Sequence, residues 1–140
     1  MTPRRRIPAL IGLLAIVVIL VGYRELIKAA FATNPLHPSP QVLQRGRDLF
    51  ARYCVVCHGV GGRGDGPAAV ALGQVPDDLS SIAPPPIFPD GVVAYRIKNC
   101  GDGMPAWKAV LSDDEVWCLI VYIRSLRRAD ARIPARVANL

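Results

Sequence analysis

The longest uninterrupted hydrophobic stretch runs from Ile7 to Gly22, IPALIGLLAIVVILVG, sixteen residues without a charge. As a helix it would extend about 24 Å at about 1.5 Å per residue, near the short limit for a bilayer core of about 30 Å. Continuation through Tyr23, with Arg24 snorkelling to the interface, would supply the remainder. Arg4, Arg5 and Arg6 precede the run, so the positive-inside rule orients the N-terminus to the cytoplasm and the rest of the chain to the periplasmic, extracytoplasmic side. The expectation is a single N-terminal transmembrane helix in the cytoplasmic membrane, with residues 1–32 as an anchor in contact with lipid. The alternative is a cleaved leader, because Ala30-Phe31-Ala32 has the small-x-small pattern of a cleavage site. Both readings deliver the remainder of the chain to the same side.

Beyond the apolar run the pattern changes to short amphipathic segments separated by proline and glycine. Residues 33–40 form a Pro-rich linker ending in Ser39-Pro40, a natural N-cap and first helical position. Val42, Leu43, Leu49, Phe50 and Tyr53 then recur at helical spacing. GVGGRGDGP and PDDLSSIAPPPIFPDG are loops, the second because its prolines exclude a helix and a central strand. A short helix is predicted over Gly91 to Lys98. In the last segment Ser112 and Glu115 form a capping box ahead of a stripe of Val116, Leu119, Ile120 and Ile123. With no alternating pattern of any length, the fold class is all-α: one small domain over residues 41–127, followed by a basic tail over 128–140.

Charge changes this picture little. The chain of 140 residues carries a net +6, but ten of its 17 basic and two of its 11 acidic residues lie in 1–32 and 124–140, leaving 7 against 9 between them. The central domain is slightly acidic and lacks a basic stripe with interleaved aromatics, so no nucleic-acid partner is expected. The glycines do not make a phosphate cradle, since no strand precedes them and no Lys-Ser/Thr follows.

The candidate chemistry is concentrated in CVVCH, residues 54 to 58. A C-x-x-C pair can close a redox disulfide, bind zinc or add across the vinyl groups of a haem. A thioredoxin-like use expects a surrounding βαβ pattern, which is missing. Zinc needs four ligands, and His37, Cys100 and Cys118 do not complete a set at familiar spacing. The histidine directly after the second cysteine points to haem c, with Cys54 and Cys57 as thioethers and His58 as an iron ligand. Of the candidates for a second axial donor, Met1 is remote from the domain and His37 lies between linker prolines. Met104, in the loop NCGDGMPAWK, remains: glycines there allow close backbone approach and Pro105 stiffens the turn.

These residues resemble the class I cytochromes c over about residues 41–127. Gly46, Phe50 and CVVCH stand in the family's G-x3-F-x3-C-x-x-C-H arrangement, GMPAW looks like the axial-methionine loop of bacterial members, and LIVYIRSL looks like the final helix. The resemblance implies a small cytochrome c fold around one covalent haem, in which Leu119 and Tyr122 pack on the first helix and the haem edge. It also implies that the Pro67 carbonyl accepts from the outer nitrogen of His58. Gly46 is unfavourable in a helix, and a close crossing of the two terminal helices would explain it. Trp107, Tyr95 and Trp117 are expected as pocket or core aromatics. Cys100 and Cys118, unused by the haem, would approach closely enough in the resembling fold to form a disulfide; the alternative is that Cys118 is a small buried helix residue and Cys100 a free thiol.

With both axial positions filled, substrate activation is disfavoured and one-electron transfer remains. The expected protein is therefore an electron carrier rather than an enzyme, a membrane-tethered shuttle or a subunit of a larger respiratory or photosynthetic complex with redox protein partners. The alternative is a haem sensor or peroxidase-like enzyme in which Met104 is displaced from the iron.

Overall fold

The structure is a computed structural model that describes residues 6–73, 75–101 and 103–130. The basic tail expected over 128–140 lies outside them from residue 131 on, as do Met1, Arg4 and Arg5. The order is α1 (Arg6–Phe31), α2 (Pro40–Tyr53), α3 (Val55–His58), α4 (Asp90–Asn99) and α5 (Asp113–Asp130), with single 3-10 turns over Ala69–Leu72 and Leu79–Ser81. The described residues form no strand, in line with the all-α reading.

Helix α1 corrects one expectation. Among the described residues no helix is long and apolar enough to cross a membrane, so the transmembrane helix, and the lipid contact that depended on it, are not supported. The uncharged run stops at Tyr23, short of the ~20 residues that a bilayer core requires. The helix continues to Phe31 only by taking in Arg24, Glu25 and Lys28. Its described side chains are exposed.

The core is built where α2 crosses α5. Helix α2 starts as its sequence predicts, with the Ser39 hydroxyl accepting from the Val42 amide at 3.2 Å and Pro40 in the first turn. Gly46 and Phe50 are its buried positions. A methyl group added at Gly46 would collide with the Cys118 carbonyl and stand 2.8 Å from Tyr122 Cβ, so α5 lies against the α2 backbone itself. That close approach is the reason for a glycine in mid-helix. Around it, Phe50, Val116, Leu119 and Ile120 are almost fully enclosed. The Phe50 and Tyr122 rings meet at 5.3 Å and 53°, a tilted pairing.

Helix α5 opens on the predicted capping box: the Ser112 amide donates to Glu115 at 2.9 Å, and the Glu115 amide donates to the Ser112 hydroxyl at 3.3 Å. Helix α4 buries Gly91, Val93, Ala94 and Ile97 and packs on α5. The linker is tied down as well, since the Asn34 side chain donates to the Trp117 carbonyl at 3.1 Å.

Two further expectations are overturned. Tyr95 is exposed rather than in a pocket or core, because α4 turns its opposite face inward. None of the four cysteines is in a disulfide, so Cys100 and Cys118 do not form a bridge. Cys118 is buried where α5 meets α2, whereas Cys100 opens into the cavity described below.

Candidate haem site

The cysteine pair sits on a turn made by local backbone bonds. Helix α2 ends at Cys54, whose amide donates to the Phe50 carbonyl at 2.9 Å, and α3 follows at once as a single turn ending on His58. On one helical turn Cys54, Cys57 and His58 come onto neighbouring positions of the same face. Gly59 then leaves with φ of +75°, a left-handed conformation suited to glycine. The loop beyond it folds back on the turn. Amides of Gly64 and Gly66 donate to the carbonyls of His58 and Cys57 at 2.9 and 3.1 Å, satisfying groups that a one-turn helix leaves open.

Met104 arrives from the other direction. The chain leaves α4 at Cys100 and turns at Gly103, with φ of +88°, and the Met104 amide donates to the Gly101 carbonyl at 3.3 Å. It is then drawn back against α4, where the Trp107 amide donates to the Ile97 carbonyl at 3.1 Å. Trp107 packs on Tyr53 with ring centres 5.1 Å apart, which joins the methionine loop to the end of α2.

Between these segments lies a cavity of about 600 Å³. Cys54, Cys57, His58 and Met104 all line it, together with Trp107 and Tyr53. Apolar walls come from Val93 and Ile97 of α4, from Leu111, and from Leu119 and Ile123 of α5. The His58 Nδ1 atom lies 3.1 Å from the Asp77 carbonyl oxygen. A carbonyl only accepts, so Nδ1 carries the hydrogen and Nε2 keeps its lone pair for a metal.

Burial, with Cys57 as a second cause, pushes the Cys54 thiol up to about 12. The thiol is therefore protonated at neutral pH and a poor nucleophile. Among the described residues, no group of three or more His, Cys, Asp or Glu is arranged to hold a bare metal ion. A paired thiol set, an imidazole with a free nitrogen and a thioether in one largely apolar cavity fit a haem instead.

Three residues expected at the cofactor are not among the cavity walls. Pro67 is outside them, and the carbonyl facing His58 belongs to Asp77, because the glycine loop lies along the C-x-x-C-H turn and the segment after Pro76 comes under the imidazole. Phe50 and Tyr122 pack against each other in the α2–α5 contact. Leu119 does line it, as expected for the final helix.

The segment from Val75 to Ala83 was missed from sequence. Val75, Leu79 and Ile82 contribute to the wall, and Phe88 joins them. These are isolated apolar residues among prolines and acids, with no period to mark an inward face. Arg96, also on the wall, pairs with the Asp77 carboxylate at 3.2 Å. Both partners are well exposed, so the pair adds little stability.

Comparison with known proteins agrees with this geometry. The chain is 33% identical over 82 residues to cytochrome c6 of Euglena gracilis, covering 56% of this chain and 85% of that protein. It is 30% identical over 98 residues to the quinohemoprotein alcohol dehydrogenase ADH IIB of Pseudomonas putida, covering 69% of this chain but 13% of the relative. Among solved structures, a chain of the Kuenenia stuttgartiensis reducing HAO-like protein complex Kustc0457/Kustc0458 superimposes with a TM-score of 0.56 at 32% identity. That match covers 66% of this chain and 46% of the other. Residues 41–123, more than half of the chain, match the family described as cytochrome c oxidase, cbb3-type, subunit III. The protein thus belongs to that cytochrome c family, as an electron carrier with one haem c held covalently through Cys54 and Cys57.

Proposed function

We propose that the chain passes single electrons between redox protein partners, with His58 and Met104 as the residues that would ligate the iron of its haem. When bound, haem c supplies a one-electron Fe(II)/Fe(III) couple. The observation that carries the reading is the shared cavity, which has an imidazole with a free Nε2 and a thioether on its walls. His58 is oriented by the Asp77 carbonyl. Met104 offers a soft sulfur that favours the reduced state. Val93, Ile97, Leu111, Leu119 and Ile123 exclude water, and burial penalises the more highly charged ferric state, which raises the potential.

By this reading the chain works as the electron-carrying part of a larger assembly. The Pseudomonas relative is many times longer than the matched stretch, and the Kuenenia neighbour belongs to a protein complex, and both settings support it. The apolar run behind Arg4, Arg5 and Arg6 supports export, so the haem domain works on the extracytoplasmic side.

A visible spectrum of the purified haem protein tests the ligation. A low-spin ferric spectrum with a Met–iron charge-transfer band in the far red is expected, whereas a high-spin spectrum would favour the sensor or peroxidase-like alternative. Fractionation tests the location: haem-stained protein confined to the cytoplasmic fraction would reject it.

A further inference from the structure

The loop from Ala83 to Pro89 forms part of the cavity wall, through Ala83 and Phe88, yet it has little means of holding its own shape. Four of its residues are proline and donate no amide. Within it only the Ile87 and Phe88 amides find a partner, both on the Pro84 carbonyl, at 3.1 and 3.3 Å. Its remaining carbonyls need donors from elsewhere.

Arg124 of α5 supplies two of these, while the Pro89 carbonyl takes the Val92 and Val93 amides of α4. One guanidinium nitrogen, Nη1, donates to the Ala83 carbonyl at 2.7 Å, and Nη2 donates to the Phe88 carbonyl at 2.6 Å. The third, Nε, donates to Asp90 Oδ1 at 2.9 Å. The Arg124 and Asp90 side chains are each 18% exposed, so these bonds are largely withdrawn from water. Arg127, one turn on, adds a longer bond to the Ile82 carbonyl at 3.3 Å. A planar guanidinium can reach three acceptors at fixed angles, and a lysine ammonium cannot. Arg124 precedes Ser125 and follows Ile123, itself a wall residue of the cavity.

We propose that Arg124 is a positioning residue for the haem pocket: its fork clamps the proline loop to α5 and so holds Ala83 and Phe88 in the wall that keeps water from the haem. The proposal rests on the haem reading above. It differs from a general stabilising role in that the two carbonyl bonds, and not the ion pair with Asp90, carry the effect.

The test uses the full chain with haem attached, as the parent, Arg124→Lys and Asp90→Asn. Midpoint potential is measured by spectroelectrochemistry, and amide exchange at Ile87 and Phe88 by NMR. In R124K the potential falls as water reaches the pocket, and the two amides exchange about tenfold faster, the factor that corresponds to about 1.4 kcal/mol of net hydrogen bonding. D90N, which keeps the fork and its carbonyl acceptors, changes both readings much less. Unchanged potential and exchange in R124K would overturn the proposal, and so would D90N matching R124K, since the ion pair would then be the cause. Should R124K not accumulate with haem, the parent decides: its Ile87 and Phe88 amides must be protected well beyond open-chain rates, and unprotected amides refute the clamp. Absence of a c-type spectrum in the parent would refute the haem reading itself, independently of either variant.

Discussion

Met104 is half-buried, set by the Gly103 turn, and shares its cavity with His58. Because the two thioethers and not the methionine hold the haem in the chain, Met104→Ala should retain covalent haem while opening the sixth site to water or added ligand. The ferric spectrum should become high-spin and the potential should fall; a low-spin spectrum at unchanged potential would show that another residue ligates. Gly46 presents the opposite situation, a position where an added methyl has no room. Gly46→Ala gains intrinsic helix propensity, about 1 kcal/mol, but forces the methyl into the Cys118 carbonyl and Tyr122 Cβ. Neither can yield without moving α5, so overpacking of about 1–3 kcal/mol or more dominates. Thermal unfolding of the variant should show a lower midpoint, by about 4–8 °C for each net kcal/mol lost.

Among the elements, α5 is held at its start by charge as well as by packing. Bonds from the Ser112 backbone amide, then from its hydroxyl, and lastly the approach of Arg45 hold the Glu115 carboxyl below the usual glutamate range. A carboxylate whose pKa is lower folded than unfolded contributes stability above its unfolded value and loses it as pH falls through the folded one. The helix start should therefore weaken in the acid range just below the ordinary glutamate pKa. Glu115→Gln can still accept from Ser112 but has no charge to titrate. Parent and variant should differ in melting temperature at neutral pH and converge on acidification, with a modest gap because the side chain keeps part of its surface in water. A gap constant from neutral to acid pH would mean that ionisation of Glu115 contributes nothing.

At the level of the whole molecule, the cavity decides whether the domain folds without its cofactor. Helices α4 and α5 and the loops on either side present their apolar residues to about 600 Å³ that only a large group can fill. At ~24 cal/mol per Å³, an unfilled cavity of that size would cost on the order of 10 kcal/mol, an upper bound for a cavity with an open mouth. That is comparable with the ~5–15 kcal/mol that holds an ordinary domain together. Replacing Cys54 and Cys57 together by Ala should accordingly leave a chain without covalent haem that lacks stable tertiary structure. Near-ultraviolet circular dichroism and proteolysis would read this, and a native-like, protease-resistant apoprotein would contradict it.

Local signals were legible because each depends on neighbours in the chain. The Ser39-Pro40 start of α2, the Ser112–Glu115 box of α5 and the Cys54-Val55-Val56-Cys57-His58 turn are set within a few residues, and the structure forms all three. Gly46 also carried its meaning in sequence, since a mid-helix glycine requires a close crossing. What sequence could not decide was which far-apart groups meet. The carbonyl that faces His58 comes from Asp77 and not Pro67, Phe50 and Tyr122 go to the helix crossing and not the cavity, and Cys100 and Cys118 end apart. The apolar run and the arginines before it predict α1 as a span, although its uncharged run falls short of a bilayer's thickness. Sequence spacing specifies local backbone geometry, whereas the partners of a loop carbonyl, a ring or a thiol follow from how helices cross and where proline loops can be anchored. For this protein the anchoring is done by side chains such as Arg124, whose acceptors lie 34 to 41 residues away in the chain.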